Sequence, residues 1–247
     1  MTTKSPTSAD YDRIHKLFET SIGRKDCGKH CAPINGGEPV CCDTEHAVPV
    51  AHVSEWRLLR ERTDLWRRFK PDDAAGRQIV DELTTHCVAI ECKGARFCER
   101  ENRTLACRSF PFFPYLTRAG EFVGLGYYWD FEDRCWVLSN LGTVEKDFVR
   151  EFTAAYEALF AVDREEYDNF REHSANMRRV FTRWRRVIPL IGRDGGYLKV
   201  MPRTGVVRPA KLDAFRRHGP YRSDAAYKRA VAESEAAVQG SSKVTTA

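Results

Sequence analysis

Nine cysteines stand at positions 27, 31, 41, 42, 87, 92, 98, 107 and 135 of a 247-residue chain, and none follows Cys135. Eight fall in two groups: Cys27, Cys31, Cys41 and Cys42, then Cys87, Cys92, Cys98 and Cys107. A thiolate is soft and anionic, and four converging at about 2.3 Å make a tetrahedral seat for a metal such as Zn²⁺. Regular helices and strands rarely aim near neighbours at one point. Loops rich in Gly and Pro do, and Pro33, Gly36, Gly37 and Pro39 fill the spacer between Cys31 and Cys41. The vicinal pair Cys41-Cys42 diverges in an extended chain, so either one ligates while the other packs, or each faces a different metal. The eight thiols suit two tetrahedral ions, zinc or iron, or one iron–sulfur cluster with spare thiols. Neither spacing is the short ferredoxin run.

Two other readings compete. Free cysteine is among the most buried residue types, and that reading is preferred for Cys135 in the run DRCWVL. Disulfides gain weight only on export. The start MTTKSPTSAD has no apolar h-region, and no apolar run approaches the ~18 residues of a membrane span. The expectation is a cytoplasmic protein with no membrane partner, whose thiols stay reduced.

Histidines add candidates. His30 lies inside the first group, and His46 and His86 flank cysteines. His46, four residues after Cys42, is the substitute ligand. Asp43 is a hard ligand for iron, or else a turn residue after the loop.

The run CERENRTLACRSFPF carries Cys98, Arg103, Cys107, Arg108, Phe110 and Pro111 in an order that resembles the second half of the YkgJ-like family, a zinc- or iron-chelating domain with a CxxCxxCC signature. Cys27, Cys31, Cys41 and Cys42 stand where that signature begins, with spacers of three and nine residues instead of two and two, and Thr104 replaces the usual proline. The likeness covers roughly residues 20–140 and implies metal ligation by Cys27, Cys31, Cys41, Cys42, Cys87, Cys98 and Cys107. It lends no activity. A divalent ion within four thiolates carries a charge of about −2, and Arg103 and Arg108 are placed to offset it and to donate hydrogen bonds to sulfur.

The elements that must hold these residues read as α+β, mainly helical, with short strands and Cys-rich metal-binding loops. Helices are expected over 9–22, 55–69, 73–83, 144–161, 164–187, 210–217 and 224–238, with Asp163 as the cap of the fifth. Strands are expected at 86–91, within 121–130 and at 197–201. Aromatic residues crowd Phe110–Trp136 and are expected to lid the metal site. Residues 1–141 form the chelating domain, 142–238 a basic helical part, and 239–247 a disordered tail.

No GxSxG, P-loop or HExxH is present, and Gly124-Leu-Gly126 lacks the third glycine of a dinucleotide fingerprint. No catalytic residue is identified. Residues 164–229 hold 17 Lys/Arg against 7 Asp/Glu. Within them Met177–Arg186 reads as a basic amphipathic helix that suits nucleic acid or an anionic protein partner, or a solvated face with arginine stems on apolar surface. The function expected is metal binding by clustered thiolates, the metal being structural. The alternatives are an iron or iron–sulfur enzyme acting on a small molecule or peptide, and a nucleic-acid-binding protein.

Overall fold

The computed structural model describes residues 5–244. In chain order the elements are α1 (Ser8–Lys16), α2 (Gly28–Cys31), β1 (Val50–His52), α3 (Val53–Arg62), β2 (Trp66–Arg68), α4 (Ala74–Asp81), β3 (Cys87–Cys92), α5 (Leu105–Ser109), β4 (Phe112–Leu116), β5 (Phe122–Tyr127), α6 (Lys146–Val162), α7 (Arg164–Arg183), β6 (Ile188–Gly192), β7 (Tyr197–Met201), β8 (Val206–Ala210) and α8 (Asp224–Val244). Short 3-10 turns link many of them. The fold class is α+β, and no described helix is long and apolar enough to cross a membrane.

The chain forms two compact units. One takes the residues up to Thr20, Cys41–Phe110 and Glu151–Asp168; the other takes Ser21–Val40, Pro111–Arg150 and the chain from Asn169. Each draws on three separate stretches, where the sequence reading expects consecutive parts meeting at 141.

In the first unit, β1 and β2 flank β3 antiparallel. Helix α3 starts at His52, whose side chain accepts the Ser54 N–H, and stops at Thr63, which is fully extended. The sequence reading carries this helix to Phe69. Instead the chain turns at Thr63, whose hydroxyl accepts the Leu65 N–H, and Trp66 enters β2 opposite Cys92. Pairing with β3 outweighs the helical spacing of Trp66 and Phe69. Ala51, Trp56, Leu59, Leu65, Trp66, Val88 and Ile90 form the core here. Thr7 caps α1 in a reciprocal capping box with Asp10. Buried Glu55 accepts hydrogen bonds from the Leu105 N–H (2.6 Å) and the His15 ring (2.8 Å), which fixes the start of α5.

The second unit is built on an antiparallel sheet in the order β4-β5-β6-β7-β8. Pro114 and Pro209 sit on its edge strands, and Pro189 lies beyond the reach of β5, which meets β6 only at Ile191 and Gly192. None of the three missing N–H groups leaves a gap in the ladder. A Cβ on Gly126 would lie 2.8 Å from the Phe113 ring, and one on Gly124 would lie 2.2 Å from the Ile191 carbonyl oxygen. This pair of glycines therefore serves close sheet packing. The aromatic run is mostly this sheet's core, with Phe112, Phe113, Tyr115, Leu125 and Tyr127 buried.

Asp163 caps α7 by accepting the Glu166 N–H at 3.0 Å. The helix ends at Arg183, and Arg185 takes a left-handed conformation (φ 54°), so Met177–Arg186 is not one continuous helix. The segment expected as helix at 210–217 is the end of β8 and a 3-10 turn, Leu212–Ala214. Helix α8 continues through Val244, past the expected start of the tail at 239; residues 1–4 and 245–247 lie outside the described chain.

Candidate metal centre

Within the first unit, separate segments bring thiols to one neighbourhood. Strand β3 delivers Cys92 at its C-terminal end, and α5 carries Cys107 in its first turn. Both pack on the Trp66–Ile90 core. Cys98 follows a 3-10 turn over Ala95–Phe97, and Cys42 ends the turn Val40–Cys42. Cys42 and Cys98 each lie near enough to Cys92 to perturb its charge, and Cys107 feels both Cys92 and Cys42. Of the vicinal pair, the charge of Cys42 acts on Cys92 and Cys107, and that of Cys41 acts on the Arg103 guanidinium.

Donors already point at the sulfurs. Arg103 donates its Nε–H to Cys98 Sγ at 3.0 Å, and the Gly94 N–H donates to Cys92 Sγ at 3.4 Å. Gly94 holds φ 98°, a conformation that glycine adopts without strain. Thr104 caps α5 by accepting the Cys107 N–H at 3.0 Å. Burial pushes the Cys107 thiol up to about 12, against the opposing pull of Thr104 and Arg103. Burial also raises Cys92, against the Gly94 N–H. Buried thiols of this kind keep their protons at neutral pH unless a cation displaces them. For Arg103, burial works to lower the pKa, but the bond to Cys98 and the thiolate charges outweigh it and the net direction is up.

Arg108 does not share this role. Its guanidinium donates to the carbonyls of Arg103 (3.0 Å), Glu101 (2.6 Å), His15 (3.4 Å) and Phe18. Adjacent residues of a helix point about a quarter-turn apart, so the neighbour of Cys107 faces elsewhere. Cys87 is also set apart. At the far end of β3, its charged neighbours are Glu166, Glu165 and Asp163, and burial raises its pKa.

Cys27 and Cys31 belong to the second unit, at the start and end of the turn α2. Their charges act on Cys135, which lies in the same unit and is buried as the sequence reading expects of a core cysteine. No sequence signal links Cys31 to Cys135, because more than a hundred residues separate them. The two cysteine groups of the sequence are thus re-sorted in space, with Cys42 joining Cys92, Cys98 and Cys107.

No disulfide joins any of the nine cysteines. Among the described residues, the one set of three ligand atoms within 4.8 Å of one another is Asp43, Glu45 and His46. His46 Nε2 lies 3.8 Å from Asp43 Oδ2, and Asp43 accepts the Glu45 N–H at 3.0 Å. The thiols are more widely spaced, and sulfurs sharing one ion at about 2.3 Å must draw closer than they stand. The donor chemistry itself, sulfur flanked by N–H groups and one guanidinium, suits a thiophilic cation.

No known family model matches the chain, and no curated protein or solved structure matches it.

Proposed function

We propose that this chain binds a thiophilic cation, zinc or iron, through Cys42, Cys92, Cys98 and Cys107, and that the metal is structural. The observation that carries this reading is the hydrogen bond from Arg103 to Cys98 Sγ within a neighbourhood of thiols drawn from separate segments. A guanidinium aimed at sulfur favours the thiolate and offsets the charge of a thiolate–metal site. When bound, the cation would tie Cys42, the end of β3 and the start of α5 together. The residues of the motif likeness to the YkgJ-like family that serve this site are Cys42, Cys98, Arg103 and Cys107. A reducing compartment such as the cytoplasm fits a site that needs free thiolates.

The nucleic-acid reading draws little support from the arginines of α7 and the turn after it. Arg178 is buried and donates to Tyr115 Oη and the Leu116 carbonyl, Arg179 pairs with Glu172, and Arg186 is bidentate on Glu132. These side chains are occupied by intramolecular partners.

The test is metal analysis of protein purified without oxygen, as wild type and as Cys98→Ser, Cys107→Ser and Cys87→Ser. Loss of metal from the first two and retention in the third is the expected result. Full metal content and unchanged melting in both Cys98→Ser and Cys107→Ser overturns the assignment.

A further inference from the structure

The second unit carries a cleft that the metal centre does not use. It encloses about 440 Å³, within the range of small-molecule sites, about 300–1,000 Å³. One wall is a face of α8, where Ala230, Glu233, Ser234 and Ala237 recur at helical spacing. Three of these four side chains are small and leave the space open. The 34–40 loop supplies Ile34, Asn35 and Val40, and two further turns bring Asp133, Arg134 and Pro220.

Contacts around the cleft hold its walls in place. The Gly36 N–H donates to Ser234 Oγ at 3.0 Å, which pins the loop on α8. Tyr227 Oη donates to the His30 carbonyl at 3.0 Å, and Tyr221 Oη donates to the Arg134 carbonyl at 2.9 Å. Gly219 holds φ 47°, and a Cβ there would lie 2.8 Å from Asp133 Cα. Glycine alone lets the chain before Pro220 close on Asp133 in this way.

The lining sorts by chemistry. Asp133 and Glu233 are carboxylates, Arg134 is a guanidinium, and Ile34, Val40 and Pro220 are apolar. Negative charge is in excess. The complementary ligand carries two cationic groups, one carboxylate and an aliphatic stem between them. We propose that this cleft binds a free basic α-amino acid, such as lysine or arginine. Its cationic groups face Asp133 and Glu233, its carboxylate faces Arg134, and its methylenes lie on the apolar wall. An aliphatic amino acid leaves one carboxylate unmatched, and a diamine sets a cation against Arg134. The site stands on residues of the second unit alone and does not depend on the metal centre.

The probe is L-lysine, titrated by calorimetry into the full, reduced chain. Saturable binding with a Kd below about 1 mM is expected. L-norleucine, which lacks the distal ammonium, and cadaverine, which lacks the carboxylate, are each expected to bind at least about fivefold more weakly. Asp133 and Glu233 are exposed, so water screens both pairs. Asp133→Asn/Glu233→Gln is accordingly expected to weaken L-lysine about fivefold. Ala237→Trp sets an indole in the cleft from an exposed position and is expected to abolish binding. No saturable heat with L-lysine or L-arginine up to about 10 mM overturns the proposal. Equal binding of L-norleucine or cadaverine also overturns it, as does wild-type affinity in a folded Asp133→Asn/Glu233→Gln. The ligand series uses wild-type protein, so it decides even where a variant fails to fold.

Discussion

Replacing Arg103 with alanine removes one side chain whose Nε–H meets Cys98 Sγ at 3.0 Å and whose charge also acts on Cys107 and Cys41. A hydrogen bond to a charged group contributes about 1.5–3 kcal/mol. With a thiolate at Cys98, that interaction belongs to the metal-bound state far more than to the protonated one. At about 1.4 kcal/mol for each tenfold in Kd, Arg103→Ala should weaken zinc binding roughly 10- to 100-fold, the range seen when partners of metal ligands are removed. Arg103→Lys keeps the charge without the planar donor and should fall between the two. The assay is a chelator-competition titration on stripped, reduced protein. Arg108→Ala is the control: its guanidinium holds only backbone carbonyls, so it should lower the melting temperature while leaving the zinc Kd of the folded fraction within about threefold. A folded Arg103→Ala protein with wild-type zinc affinity refutes the argument that this guanidinium supports a thiolate site.

Other expected outcomes concern the frame around the site. Glu132 accepts two hydrogen bonds from Arg186 (2.7 and 2.8 Å) and one from Tyr127 Oη (2.6 Å) while buried; Glu132→Ala should cost about 3–5 kcal/mol in urea unfolding, since it strands a guanidinium. Gly126→Ala should cost about 1–3 kcal/mol by the same measurement, because its Cβ would meet the Phe113 ring at 2.8 Å. His173 stacks on Trp129 and meets Phe113 edge-on, and burial pushes it down to about 4. The unfolded chain protonates first as pH falls below 6.5, so stability is intact above that value and is lost progressively down to about pH 4. The loss is bounded at about 3 kcal/mol, and His173→Phe should remove it from a comparison of urea midpoints at pH 7 and pH 4.5.

Local signals in the sequence reached some of this architecture. Asp163 before an amphipathic stretch marked the start of α7, and the aromatic, glycine-containing run 121–130 marked β5, because caps and alternation act over a few residues. Trp66 was not legible as strand: its spacing from Leu59 and Phe69 is helical, and only pairing with Cys92 across the sheet decides otherwise. The strand β6 was hidden by Pro189, whose place outside the reach of β5 follows from register and not from composition. The thiols show the same division. That cysteines cluster, and that Arg103 meets Cys98 five residues away, follows from short-range spacing. That Cys42 sorts with Cys92 and Cys107 while Cys27 and Cys31 sort with Cys135 depends on two units each assembled from three stretches of chain. Arg108, adjacent to a thiol in sequence, reads as a donor to sulfur because the sequence does not show which way a five-residue helix faces.

The central claim is that cysteine sulfur surrounds a bound cation. X-ray absorption at the metal edge, on anaerobically purified full-length protein, tests it most directly. The account predicts a shell dominated by sulfur at about 2.3 Å for zinc. A shell of oxygen and nitrogen alone, or protein that holds no metal while folded and reduced, contradicts it.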